Sequence, residues 1–133
     1  MTYQEIFDKY KTIAVYGMST NPAKPSHTVP VFMMGQGYEV IPVNPVADEI
    51  AGKKAYKKLI DIPEEIDILN VFRPSDHCLD VVKEAVERKN AKGDIKMVWL
   101  QEGIINDEAK ALAEENGMEF IQDRCMYKEY VNK

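Results

Sequence analysis

The residues best suited to chemistry lie in a loop near the amino end of the sequence. The run Gly17-Met18-Ser19-Thr20-Asn21-Pro22 follows a short apolar segment and precedes a helical one, the context in which backbone N–H groups and a helix amino terminus bind phosphate. Gly17 would let the main chain approach a ligand closely. Ser19 and Thr20 offer hydroxyl groups, and Lys24 offers a cation. A plain turn is the alternative, because such loops need glycine and proline for their geometry.

The same loop argues against a dinucleotide cofactor. Ser19 and Pro22 stand where the GxGxxG pattern has its second and third glycines. The second apolar run ends at Asn44-Pro45, where an NAD-binding fold places an acidic residue for the ribose. A phosphate-bearing ligand other than NAD(P) is therefore expected, and NAD(P) is kept as an alternative.

The sequence shows no set of residues arranged for catalysis. Ser19 lacks the second glycine of a GxSxG motif, and neither His27 nor His77 is an evident base for it. The two cysteines, Cys78 and Cys125, form no CxxC pair, and no ligand pair has zinc-finger spacing. We therefore expect no catalytic machinery and no metal site. Cys78 starts a predicted helix, where a thiol can be activated, but we favour a buried and inert cysteine.

Short apolar runs alternate with longer amphipathic segments along the chain. Because the runs are continuous, they predict buried parallel strands with helices between them. The five predicted strands are Thr12–Tyr16, Tyr38–Val43, Asp67–Phe72, Ile95–Leu100 and Met118–Gln122. Helices are predicted after Thr2, from Ser26 to the Gly35-Gln36-Gly37 break, from Ser75, and from Asn106 to Gly117. A polar tail is predicted after the fifth strand. The connection over 46–65 is predicted to hold a short helix or an extra edge strand.

This alternation predicts an α/β fold, namely a Rossmann-like doubly wound parallel sheet of about five strands with helices on both faces. We predict the strand order 3-2-1-4-5. Pro30 is expected in the first turn of the second helix, where N–H groups lack partners. Residues 1–133 are predicted to form a single domain, because a chain of this length buries roughly two-thirds of its surface around one core.

The carboxyl ends of parallel strands meet at one edge of a sheet, and ligands bind in the crevice there. The sequence therefore predicts that five polar loops converge: Gly17–Ser26, Asn44-Pro45, Phe72-Arg73-Pro74, Gln101-Glu102-Gly103 and Asp123-Arg124-Cys125.

Composition excludes several classes of function. The chain has 17 Lys and Arg against 22 Asp and Glu, a net charge of −5, and nucleic-acid or membrane-surface binders need a basic face. No apolar run approaches the roughly 18 residues of a spanning helix, and the amino end lacks the apolar stretch of a signal peptide. Two cysteines give no disulfide framework and suit a reducing compartment, so a cytoplasmic protein is expected.

Five segments of the sequence together resemble a known family. VYGMSTNPAKPSHTV, GYEVIPVNP, DILNVFRP, VWLQEGI and DRCM are similar, in order and spacing, to small single-domain CoA-binding proteins. Members of that family have the same fold as the N-terminal CoA-binding domain of the succinyl-CoA synthetase alpha subunit. The resemblance runs from Lys11 to Met126 and implies that coenzyme A or an acyl-CoA lies at the carboxyl edge of the sheet.

The resemblance also implies which residues contact the ligand. Those that would hold the CoA phosphates are Gly17, Met18, Ser19, Lys24, Pro25 and Ser26. Asn44 and Pro45 would border the adenosine part. The wall beside the nucleotide would be Phe72, Arg73 and Pro74, and the neighbouring crevice would be lined by Gln101, Glu102 and Gly103. These implications agree with the chemistry of phosphates, which bind N–H groups and cations such as Lys24 and Arg73.

The resemblance transfers CoA binding and not ligase chemistry. The phosphohistidine domain and the ATP-grasp subunit of the synthetase have no counterpart in this sequence. A non-enzymatic CoA-binding protein is therefore predicted, with an unidentified protein partner left open. The alternatives are a subunit of an acyl-CoA ligase-type enzyme completed by other chains, or a binder of another nucleotide such as NAD(P). A separate hypothesis is that Cys125 forms a mixed disulfide with the CoA thiol, against the alternative of a packed cysteine.

Overall fold

Helices and strands alternate along all 133 residues described by the computed structural model. The helices are Tyr3–Lys9 (α1), Pro25–Gly35 (α2), Cys78–Lys92 (α3), Asp107–Glu115 (α4) and Met126–Val131 (α5). The strands are Thr12–Tyr16 (β1), Glu39–Val43 (β2), Glu49–Ile50 (β3), Lys53–Lys54 (β4), Ile68–Val71 (β5), Met97–Leu100 (β6) and Glu119–Ile121 (β7).

Five of the strands form one parallel sheet in the order β2-β1-β5-β6-β7. Alternate side chains of each strand point to opposite faces, and each face carries its own apolar core. One core packs under α3 and α4, and the other packs under α1, α2 and α5. The predicted α/β fold, with a doubly wound parallel sheet and helices on both faces, is confirmed.

The predicted strand order 3-2-1-4-5 is wrong. Numbered along the chain, the five strands lie in the order 2-1-3-4-5, because β5 lies between β1 and β6. Two features explain the difference. All four residues of β5 are buried, which suits a central strand. Pro42 has no N–H for a second neighbour, and its carbonyl points outward to accept a hydrogen bond from the Tyr56 N–H at 3.0 Å, so β2 is an edge strand.

Two of the helix starts predicted from capping residues are confirmed. The Thr2 hydroxyl accepts a hydrogen bond from the Glu5 N–H at 3.1 Å, and the Glu5 carboxylate accepts one from the Thr2 N–H at 3.0 Å. The Asn106 side chain accepts from the Ala109 N–H at 2.9 Å at the start of α4. None of the helices has both the length and the apolar character that crossing a membrane requires.

Pro30 was predicted to lie in the first turn of α2, and this prediction is wrong. It is the sixth residue of that helix. A residue with an N–H at this position would donate to the Ser26 carbonyl four residues earlier. That carbonyl instead accepts from the Ser19 N–H at 3.1 Å. The proline therefore leaves an acceptor that attaches the loop after β1 to the helix.

The two segments left least defined by the sequence both have regular structure. The 46–65 connection holds the antiparallel pair β3-β4 and a 3₁₀ turn at Leu59–Asp61. The predicted polar tail is instead helix α5, which buries Met126 and packs the Tyr130 ring edge-on against Phe7 with 5.2 Å between ring centroids. Aromatic contacts of this kind explain why a segment of mixed polarity folds back onto the sheet.

A buried arginine holds the 46–65 connection against α3. The Arg88 side chain is 1% exposed and donates to the carbonyls of Leu59, Ile62 and Glu64 at 2.7, 2.6 and 2.8 Å. Its charge is paired with Asp94 at 2.8 Å. A buried cation needs both a counter-ion and full hydrogen bonding, and Arg88 has both.

Candidate ligand-binding site

A cleft of about 490 Å³ opens at the carboxyl edge of the sheet, where β1 and β5 end side by side. In this strand order the connections leave β1 and β5 toward opposite faces, which makes the gap between them the switch point of the sheet. The residues that line the cleft are Gly17, Met18, Ser19, Thr20, Lys24, Ser26, Asn44, Pro45, Val46, Ala47, Phe72 and Arg73.

Gly17 is the residue at which three strand ends meet. Its N–H donates to the Val43 carbonyl at the end of β2, and its φ of +87° lies in the left-handed region. A Cβ atom on Gly17 would stand 2.8 Å from the Phe72 carbonyl oxygen and 3.1 Å from Arg73 Cδ. Only glycine therefore lets the chain ends of β1 and β5 come this close.

The loop after Gly17 is fixed by its own hydrogen bonds. The Ser19 N–H donates to the Ser26 carbonyl, and the Ser19 carbonyl lies 2.7 Å from His27 Nδ1. A carbonyl can only accept, so His27 carries a proton on Nδ1 and donates it. The Ser19 hydroxyl accepts from the Asn21 N–H at 3.0 Å, and the Asn21 side chain accepts from the Ala23 N–H at 3.0 Å. The loop thus has a defined shape without a ligand.

Three backbone N–H groups of this region have no acceptor within the protein, those of Met18, Thr20 and Ser26. Met18 is completely buried, so the accessible ones are those of Thr20 and Ser26. Ser26 is the second residue of α2, so its N–H lies at the positive end of the helix dipole. The exposed Lys24 stands at the N-cap of the same helix. Free amides, a helix amino terminus and a cation together make up a donor set for an anion.

Arg73 supplies a second cation to the cleft. Its side chain makes one hydrogen bond within the protein, from Nη2 to His77 Nδ1 at 2.9 Å. A guanidinium cannot accept a hydrogen bond, so His77 Nδ1 is the acceptor in this pair. The other guanidinium N–H groups of Arg73 are left for a ligand or for water.

Asn44 ties the second loop to the first. Its side-chain nitrogen donates to the Met18 carbonyl at 2.9 Å, and its side-chain oxygen accepts from the N–H groups of Val46 and Ala47, each at 2.9 Å. The Asn44 oxygen and one N–H of its amide are therefore occupied within the protein, while the second N–H has no acceptor there. Asn44 thus shapes the cleft wall and keeps one donor for a ligand or for water.

The structure brings most of the predicted site residues together. Those that line the cleft are Gly17, Met18, Ser19, Lys24, Ser26, Asn44, Pro45, Phe72 and Arg73. Pro25 and Pro74 lie outside the lining, although each follows a lining residue in the chain.

The predicted group Gln101, Glu102 and Gly103 lies apart from this cleft. Gln101 is buried, and its side-chain oxygen accepts from a backbone N–H of α5 at 3.3 Å. Glu102 pairs with Lys128 at 2.9 Å, and the Gly103 N–H donates to the Asp123 carboxylate at 2.7 Å. The reason is the strand order, since β5 separates β6 from β1 and thus the loop after β6 from Gly17.

Five lining residues were not identified from the sequence. Val46 and Ala47 border the main cleft. Tyr16, Val43 and Lys57 line an adjoining crevice of about 170 Å³. Thr20, which the sequence already placed in the candidate phosphate loop, also lines the main cleft. Lys57 reaches the site only through tertiary pairing of the 46–65 connection, for which local sequence patterns carry no signal.

The two cysteines, Cys78 and Cys125, are both buried and both lie outside the cleft lining. Cys78 is completely buried, and burial raises the pKa of its thiol to about 11, against a smaller opposing effect of Arg73. The expected burial of Cys78 is therefore confirmed, and the raised pKa agrees with the expectation of an inert thiol. Cys125 is buried at the start of α5 and lies outside the cleft lining. Its mixed disulfide with CoA stays a prediction.

Comparison with known proteins identifies relatives along almost the whole chain. Protein YneT of Bacillus subtilis is 42% identical over 123 residues, which cover 92% of this chain and 87% of YneT. The structure of cell-free ID.343 from Thermus thermophilus superposes with a TM-score of 0.90 at 36% identity, covering 99% of this chain and 98% of that one.

A third relative is part of an enzyme. The alpha subunit of ADP-forming acetate–CoA ligase II from Pyrococcus furiosus is 30% identical over 130 residues, which cover 92% of this chain but 28% of the subunit. The family model described as a CoA binding domain matches residues 11–131. The chain therefore belongs to the CoA-binding domain family, related to the domain found in succinyl-CoA synthetase-like ligases.

Proposed function

We propose that this protein binds coenzyme A or an acyl-CoA in the cleft between the ends of β1 and β5. The observation that carries the proposal is the donor set of the cleft. Two accessible N–H groups without acceptors, on Thr20 and Ser26, lie in one lining with the cations Lys24 and Arg73. Such a set matches a pyrophosphate, which accepts hydrogen bonds along its length and carries negative charge.

The apolar part of the lining supports an adenosine group beside the phosphates. Phe72 is half-buried at the end of β5 and can pack against a base or a ribose. Val46 is 82% exposed at the opposite loop, where an apolar side chain gains by being covered. CoA has both parts that this lining suits, a pyrophosphate and an adenosine.

The lining does not favour catalysis by this chain alone. It contains neither a histidine nor a carboxylate, the side chains that most often carry general acid–base steps. We therefore propose binding without chemistry at this cleft.

The second candidate function is a subunit of an acyl-CoA ligase-type enzyme that other chains complete. The observation in its favour is the similarity to the Pyrococcus furiosus ligase subunit, of which this chain spans 28%. On this alternative, the protein would support acetyl-CoA formation from acetate, CoA and ATP only when chains with the missing phosphohistidine and ATP-binding parts are added. The protein alone should give no turnover under either candidate.

Calorimetric titration and thermal shift test the binding proposal directly. CoA and acetyl-CoA should bind and raise the melting temperature, while NAD, NADP and ATP should not, because a ligand stabilises the native state only in proportion to its affinity. Lys24→Ala and Arg73→Ala should each weaken CoA binding by about 1–3 kcal/mol, which is about 5- to 150-fold. Lys110→Ala, an exposed lysine of α4, is the matched control and should leave the affinity unchanged.

Two results would contradict the proposal. Stabilisation by NAD with none by CoA would assign the cleft to a dinucleotide. Unchanged CoA affinity in both the Lys24 and Arg73 variants would remove the cleft as the binding site, even if the protein bound CoA elsewhere.

A further inference from the structure

A second, smaller crevice adjoins the main cleft at the carboxyl ends of β1 and β2. Its volume is about 170 Å³, and its lining consists of Tyr16, Gly17, Val43, Pro45, Lys57 and Arg73. Gly17, Pro45 and Arg73 line both spaces, so the crevice is a direct neighbour of the cleft.

The backbone on either side of Lys57 is held in place. The preceding residue, Tyr56, pairs with the outer edge of β2: its N–H donates to the Pro42 carbonyl at 3.0 Å and its carbonyl accepts from the Asn44 N–H at 2.9 Å. Two residues further on, the Leu59 N–H donates to a glutamate of α3 at 2.8 Å. Lys57 therefore leaves the main chain from a fixed point at the ligand edge.

The charged side chains that line the crevice are both positive, although the protein carries a net charge of −5. Its lining contains two cations, Lys57 and Arg73, and no carboxylate. The carboxylate paired with Lys57 is that of Asp48, at 3.9 Å, and the two side chains are 60% and 94% exposed. A pair this long and this exposed contributes little. The Lys57 ammonium is therefore available to a second anion.

We propose that Lys57, together with Arg73, forms a subsite for the 3′-phosphate of CoA. The inference rests on the proposed function and deepens it. CoA carries two separate anionic groups, and the amides of the loop after β1 and the α2 amino terminus suit the pyrophosphate. The crevice offers a compact ammonium and a guanidinium, both of which bind phosphomonoesters, and it shares walls with the first subsite.

Titration of CoA and of dephospho-CoA, which differ by this one phosphate, tests the assignment. The wild-type protein should bind CoA more tightly than dephospho-CoA. Lys57→Ala should weaken the binding of CoA about three- to tenfold. This loss lies between the effect of removing an exposed ion pair and that of removing a buried charge-assisted hydrogen bond. The same variant should change dephospho-CoA affinity less than about twofold. Lys57→Gln, which keeps the length of the side chain, should behave in the same way.

Lys58→Ala is the matched control. Lys58 is the next residue, is exposed, and lies outside the crevice lining, so its removal changes the net charge equally. It should leave both affinities as they are. If Lys58→Ala weakens CoA as much as Lys57→Ala does, the effect is one of overall charge and the subsite is refuted.

The remaining outcomes separate the subsite from the proposed function. If Lys57→Ala weakens CoA and dephospho-CoA equally, or weakens neither, the subsite is wrong while CoA binding stands. If the wild-type protein binds neither ligand, the proposed function itself fails. If it prefers NADP to NAD through Lys57 and has no preference for CoA over dephospho-CoA, the phosphate belongs to another nucleotide and the CoA assignment is overturned.

Discussion

Replacing Gly17 by alanine would put a methyl group at the closest approach of β1 and β5. Two costs are expected. The backbone at φ +87° disfavours any side chain by about 1–2 kcal/mol. The new Cβ would also stand 2.8 Å from the Phe72 carbonyl oxygen, a backbone atom that cannot rotate away, and overpacking of this kind costs about 1–3 kcal/mol more. Arg73 Cδ, at 3.1 Å, can move aside, and that movement would displace the cation from the cleft.

Gly103 provides a control that separates the two costs. Its φ is +85°, nearly that of Gly17, but a Cβ there would have no atom within 4 Å. Gly103→Ala should therefore lose only the conformational part, about 1–2 kcal/mol. Urea unfolding of both variants gives the two losses, and CoA titration should show a defect for Gly17→Ala alone. Equal losses of stability in the two variants would refute the argument that Gly17 is needed for close approach.

Two further predictions concern buried ionisable groups. Arg88→Met should cost about 3–5 kcal/mol in urea unfolding, because it leaves the Asp94 charge and three carbonyls without their partner. Burial alone would raise the pKa of Asp94, but hydrogen bonds from Arg88 and from a backbone N–H lower it below 3.8. The stabilisation of the fold by the ionised Asp94 is therefore present above about pH 4 and is lost as the pH falls further. Asp94→Asn should flatten this dependence of the unfolding free energy on acid pH. Burial, the largest cause in each case, raises the pKa of Tyr10, Tyr16 and Tyr38 to about 12. Their contribution to stability is thus lost as the pH rises toward 12, and a titration of tyrosinate absorbance should show three tyrosines that ionise at about pH 10 only after unfolding.

The elements of this fold could be predicted because their signals are local. Continuous apolar runs mark buried parallel strands, and capping residues such as Thr2 and Asn106 mark helix starts. Both kinds of signal depend on neighbours within a few residues. The apolar runs therefore predict the bounds of the five central strands to within two residues.

The order of the strands depends on contacts between distant segments and was predicted wrongly. One local residue did carry a signal: Pro42 cannot donate to a neighbour on its outer side, which argues for an edge strand. Placing β2 at the edge puts β5 next to β1. The switch point then lies between the loops of Gly17 and Phe72, and not between those of Gly17 and Gln101.

This correction explains which predicted site residues converge. Loops that follow β1, β2 and β5 meet around Gly17, whereas the Gln101 loop follows β6 and contacts α5 instead. Lys57, in contrast, was not predicted and does reach the ligand edge. It lies in a connection without periodic pattern, and only the pairing of Tyr56 with β2 brings it to the ligand edge.

The absence of a GxGxxG pattern has a structural explanation in Pro30. The glycines of that pattern serve a tight turn, a close approach to the phosphate, and close packing of helix against strand. Here the tight approach needs only Gly17, and the loop is attached to α2 by the Ser19 N–H, which donates to the Ser26 carbonyl that Pro30 leaves free. His27 holds the Ser19 carbonyl from the same helix. With the backbone N–H and carbonyl of Ser19 occupied, the accessible backbone donors left for a ligand in this loop are the N–H groups of Thr20 and Ser26. A loop fixed in this way loses little conformational entropy on binding, so glycine is not needed where proline and histidine already set the shape.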